Sequence, residues 1–94
     1  MAQTNIEMIA TKIVETIKQK NAAYGNAFED DLNEYGLTAS AIQMGHKIKR
    51  FKTLVKDASI CDNGESLVDS VTDLIGYGLL TLDWITRNAD KIKR

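Results

Sequence analysis

Residues 65–88 read ESLVDSVTDLIGYGLLTLDWITRN, and the spacing of their apolar side chains decides the fold class. Leu67, Val71, Leu74, Gly78, Leu82 and Ile85 recur at intervals of three and four, as one face of an α-helix requires. Val68, Ile75 and Leu79 widen that face. The pattern predicts a helix from about Gly64 to Asn88. At about 100° per residue, Glu65, Asp69 and Asp73 fall within about 80° of one another and away from the stripe, with Gly76 and Asp83 on the same side. A glycine inside a helix costs about 1 kcal/mol against alanine. Close helix packing at Gly78 and room beside the carboxylates at Gly76 are the expected reasons for that cost.

Upstream, a second long helix is expected from Thr38 or Ser40 to about Asp57. Ala41, Met44, Ile48, Phe51 and Val55 form its expected buried stripe, flanked by Ile42, Gly45 and Leu54. His46, Lys47, Lys49, Arg50, Lys52 and Lys56 share this helix, and no carboxylate occurs between Thr38 and Lys56. SICDNGES, residues 59–66, reads as the following loop, with Asn63 as a cap.

The first helix is expected from Thr4 or Asn5 to about Ala23. Ile6, Ile9, Ala10, Ile13, Ile17 and Lys20 share one face, Asn5 is a candidate cap, and Gly25 follows where a left-handed residue closes a helix. Between Asn26 and Gly36 the chain turns acidic, with Glu29, Asp30, Asp31 and Glu34. Phe28, Leu32 and Tyr35 form one side of a short helix that Gly36 stops. The absence of any proline permits long uninterrupted helices.

With 94 residues, no internal repeat and no linker, the sequence predicts a single all-α domain over residues 1–94: three main helices plus a short connecting helix. So broad an apolar third helix exceeds what one small protomer covers, so a homodimer or tetramer that completes the bundle is expected. A compact monomeric three-helix bundle is the alternative. No run of 18 apolar residues is present, so no membrane span is expected. Absence of a signal-peptide core and a single cysteine, Cys61, point to the cytoplasm. The net charge of −1 gives no whole-molecule attraction to nucleic acid or membrane.

Three groups could carry chemistry. Glu65, Asp69 and Asp73 form a ladder of oxygen donors that repel one another unless a cation intervenes, and magnesium accepts such carboxylates together with substrate phosphates. A solvated acidic face near a helix amino end has the same pattern. Lys47 and Arg50 could clamp a phosphate; a nucleic-acid groove is less expected, because Phe51 belongs to the buried stripe and leaves no stacking platform. His46 stands alone as a histidine. Trp84 and Tyr77 flank the acidic strip and are expected to pack against a neighbouring subunit.

Three strings, taken in order, carry a family resemblance: Lys20-Asn21-x-x-Tyr24-Gly25-Asn26-x-Phe28, Lys47-Ile48-x-Arg50-Phe51, and Glu65-Ser66-x-x-Asp69-x-x-x-Asp73-Leu74-x-x-Tyr77. Over roughly residues 12–82 the chain resembles the small nucleotide-modification-associated domains of phages and prophages. Those look like relatives of the MazG-type all-α nucleoside triphosphate pyrophosphohydrolases.

The resemblance implies a MazG-like bundle that binds magnesium (or manganese) on Glu65, Asp69 and Asp73. It places Lys20, Tyr24, Asn26, Lys47 and Arg50 against a nucleotide. The implied reaction is hydrolysis of a ribo- or deoxynucleoside triphosphate to monophosphate and pyrophosphate. Two departures stand out. The second long helix lacks the acidic pair that MazG-like enzymes carry there, and His46 stands where the smaller phage domains tend to have Asp. Any cation would then rely on the third helix, with Glu15, Glu34 or another subunit's acids. A phage accessory protein that sequesters a nucleotide, or binds and inhibits a host defence protein without catalysis, is the alternative function.

Overall fold

The computed structural model describes residues 2–24, 26–57 and 64–92. Among the described residues five helices follow one another: α1 (Ala2–Tyr24), α2 (Ala27–Tyr35), α3 (Leu37–Lys56), α4 (Glu65–Arg87) and the single turn α5 (Ala89–Ile92). Among the described residues there is no strand, and the fold is all-α as the spacing requires. Among the described residues, no helix is long and apolar enough to cross a membrane.

Helix ends follow the glycines more than the polar caps. Gly36 adopts a positive φ of 70° and its N–H donates to Leu32 O at 2.8 Å, ending α2 where the sequence predicts. The same residue opens α3, which begins at Leu37, ahead of the expected Thr38 or Ser40. Gly64, at φ 81°, precedes α4; Asn63 and Cys61 lie outside the described residues. Asn5 caps nothing, because α1 starts at Ala2 and carries Asn5 in its interior. Downstream, α4 is closed by Asn88, whose backbone N–H and side-chain amide both donate to Trp84 O, at 2.9 and 2.8 Å.

α3 and α4 pack as an antiparallel pair, with contacts running from Ser40–Thr81 through Met44–Gly78 to Lys47–Asp73. Thr81 spends its hydroxyl proton on Tyr77 O at 2.6 Å, so the buried Ser40 donates to Thr81 Oγ1 at 2.7 Å. The apolar core is small. Leu32, Ala39 and Trp84 form its centre with Phe28 and Ile85 against them, and Ile13 of α1 is buried separately. Trp84 is only 6% exposed within its own chain, and its indole N–H donates to Asn33 Oδ1 at 3.0 Å. This corrects the expectation of a subunit-interface anchor. Tyr77 likewise packs inside the chain, edge-on to Phe28 with ring centroids 4.8 Å apart.

The stripes predicted to be buried have the right period, but most of their large members are exposed, while Met44 and Leu74 are half-buried and Ile85 packs against the core. On α4, Leu67, Val68, Val71, Ile75, Leu79 and Leu82 are exposed, while Ser70, Gly76 and Trp84 face inward. On α3, Ala39 and Ser40 are buried, whereas Ala41, Ile48, Phe51 and Val55 are exposed. Small residues such as Ser40, Ser70 and Gly76 face inward, and several larger apolar groups are left exposed. Tyr35, expected beside Leu32, is also exposed. The close packing expected at Gly78 is not found, and Gly76 faces Ile17. A Cβ on Gly76 would touch Ile17 of α1 at 3.7 Å, and one on Gly78 would meet only Met44 Cε at 3.8 Å, both ordinary contacts.

Candidate functional site

Three helices each bring one charged side chain to a single point. Asp73, in the middle of α4, accepts from Lys20 of α1 through Oδ1 at 3.2 Å and from Lys47 of α3 through Oδ2 at 3.0 Å. The helix register explains this. Asp73 sits on the α4 face that also carries Gly76, Tyr77 and Leu80, and that face looks toward α1 and α3. Burial pushes the Asp73 carboxyl up, but hydrogen bonds from Lys47 and Lys20, and then their charges, outweigh it and hold it below the usual carboxylate value. Two ammonium groups on one carboxylate leave a net positive charge, which favours an anion.

The triad lines a cleft of about 370 Å³. One side is apolar, formed by Ile13, Ile17 and Leu80, with the crossed rings of Phe28 and Tyr77 beside it. Thr16, Asn21 and Thr72 add hydroxyl and amide groups. Asn21, Phe28 and Leu80 are shared with a second hollow of about 340 Å³ lined also by Asn26, Glu29, Asp83 and Arg87. Arg87 fixes the far wall of that hollow. Its Nη1 and Nη2 donate to the two carboxylate oxygens of Glu29 at 3.1 and 2.9 Å, and its Nε donates to Asp83 at 3.0 Å. The hydrogen bonds that Arg87 donates to Glu29 and then to Asp83 hold its guanidinium pKa above the already high ordinary value.

Of the residues singled out from sequence, Lys20, Lys47 and Asp73 come together, and Asn26 lines the adjoining hollow. Asn26 does so with a left-handed backbone, φ 61°, a conformation that asparagine tolerates better than most residues. Arg50 and Asp69 are exposed and line neither space, so Lys47 and Arg50 do not act as one clamp. The side chains of Tyr24 and Glu65 lie outside the description. Glu15 and Glu34 are exposed and line neither space.

Among the described residues, no three His, Cys, Asp or Glu side chains gather where they could hold one metal ion. Both oxygens of Asp73 are engaged by lysines, so the arrangement around it suits an anion better than a divalent cation.

Sequence reading missed the Phe28–Tyr77 pair, Asn21, and the threonines at 16 and 72 as site residues. Signals for them existed: Thr16 and Lys20 are one helical turn apart, as are Asp73 and Tyr77, and Thr72 adjoins Asp73. No family model matches the sequence. No match was found among curated proteins or among solved structures.

Proposed function

We propose that this cleft binds a nucleotide, with its phosphates on Lys20 and Lys47 and its apolar and aromatic part against Phe28, Tyr77 and Ile17. The observation that carries the reading is the convergence of two lysines from different helices on one partly buried carboxylate at the edge of an aromatic-lined cleft. Asp73 then acts as a resident counterion. It keeps the lysines positioned and their charges partly neutralised until an anion arrives, and the phosphate replaces or joins it. The family resemblance supports the same ligand class.

Within that reading, binding without turnover is favoured over hydrolysis. A magnesium- or manganese-dependent pyrophosphohydrolase needs Glu65, Asp69 and Asp73 to share a cation. Asp69 is exposed and does not line the cleft, and Asp73 is paired with lysines. The chain is accordingly read as a phage-type accessory protein that sequesters a nucleotide. Engagement of a host defence protein is a further role of the same class.

Nucleotide binding and pyrophosphate release are measured together on a panel of ribo- and deoxynucleoside triphosphates, with magnesium, with manganese and with chelator. Saturable binding that Lys47→Ala weakens at least tenfold, without product, is the expected result. Metal-dependent pyrophosphate release abolished by Asp69→Ala would establish the hydrolase instead. No binding to any member of the panel would remove the nucleotide reading.

A further inference from the structure

The aromatic-lined cleft does not end at Phe28. Asn21, Phe28 and Leu80 line both it and the second hollow, so the two spaces adjoin. They also follow one stripe of α4, along which Asp73, Gly76, Leu80, Asp83 and Arg87 recur at alternating intervals of three and four. The first two border the cleft, the last two border the hollow, and Leu80 borders both. From Asp73 to Asp83 the helix rises about 15 Å, a distance that a nucleoside triphosphate spans from its phosphates to the far edge of its base.

The two ends of this trough are opposite in charge. At one end Lys20 and Lys47 outnumber Asp73. At the other, Glu29 and Asp83 outnumber Arg87. Arg87 holds both carboxylate oxygens of Glu29, yet each oxygen keeps a further lone pair. On Asp83 the guanidinium engages Oδ2 alone. The hollow is therefore rich in hydrogen-bond acceptors, and Asn21 and Asn26 bring amide donors to it. Asn26 makes no side-chain cap to α2 that would occupy its amide.

Resting on the nucleotide reading of the cleft, we propose that the hollow reads the base and selects guanine. With the phosphates on Lys20 and Lys47 and the base against Phe28, the linear order of phosphate, sugar and base carries the base edge past Leu80 toward Asp83. Guanine presents there two adjacent donors, N1–H and the 2-amino group, beside one acceptor, O6. A carboxylate accepts from both donors, and an asparagine amide donates to O6. Uracil presents two carbonyl oxygens around a single N–H, which sets acceptors against acceptors. Cytosine and adenine, with one amino group beside a bare ring nitrogen, fall between. Asp83 is the acceptor that the base meets, and Arg87 is a positioning residue that holds Asp83 and Glu29 in place.

Calorimetric titration of GTP, ATP, CTP and UTP, each also in its deoxy form, into the full chain measures the preference directly. GTP and dGTP should bind at least about fivefold more tightly than UTP and dUTP. Asp83→Asn should bring that ratio close to one. Lys47→Ala should weaken binding of all bases together and leave the ratio in place. Circular dichroism checks that both variants stay helical, and the wild-type ratio needs no variant. Equal binding of the four bases, or a preference set by the sugar alone, would overturn the guanine assignment and leave the nucleotide reading standing. A guanine preference that Asp83→Asn retains would overturn the role of the hollow. Binding of none of them would remove both readings.

Discussion

Lys47 of α3 and Asp73 of α4 meet at 3.0 Å across the pair of helices with the most extensive packing in the fold, and Lys20 of α1 closes on the same carboxylate. The contact joins architecture to chemistry. It ties the acid-free helix to the helix that bears the acidic strip, and it places two cations at the edge of an aromatic-lined cleft.

Replacing Asp73 by Asn should separate stability from binding. The lysine pairs are partly exposed, so the variant should lose only about 1 kcal/mol at neutral pH. Asp73 titrates below the ordinary aspartate value, because its lysine hydrogen bonds outweigh its burial. Its contribution is therefore complete above the unfolded value of about 3.9 and is lost as pH falls through the lower folded value. Urea unfolding of both proteins between neutral and acidic pH should show their difference shrink below about pH 4. In the same variant a nucleotide should bind more tightly, since the competing carboxylate is gone; weaker binding would indicate that Asp73 holds a cation for the ligand.

Trp84 should behave as a core residue. Trp84→Ala is expected to destabilise the chain by about 3–5 kcal/mol. Trp84→Phe keeps most of the packing and loses the hydrogen bond to Asn33, a cost of about 1 kcal/mol. Denaturant titration gives both values. Equal, small effects would return Trp84 to the surface role that its sequence neighbourhood suggests.

Gly76→Ala sets helix propensity against the cleft. The new methyl group meets Ile17 at an ordinary contact distance, so stability should rise by up to about 1 kcal/mol. Gly76 also lines the cleft beside Asp73, so ligand affinity should fall as the space narrows. Chemical denaturation and ligand titration on the same sample test the two directions independently.

Helix order was legible because Gly36 and the three-four spacings mark element boundaries directly. Membership of the site was half legible: Lys47 and Asp73 stood out by charge and position and Lys20 only through the family resemblance, but only packing reveals that they meet. The direction of the apolar stripes was not legible. Hydropathy scores Ile75 and Leu82 as core, yet Ser40, Ser70 and Gly76 are the buried ones. A stripe that faces outward has the same period as one that faces the core. The same limit misplaced Phe51, which is exposed on α3.

The most direct test of the site is calorimetric titration of a nucleoside triphosphate into the wild-type chain and into Lys47→Ala, with and without magnesium. A nucleotide held by the two lysines predicts saturable wild-type binding that survives chelation and falls at least tenfold in the variant, with helical content unchanged. Identical binding by the two proteins, or wild-type binding seen only with magnesium, would contradict it.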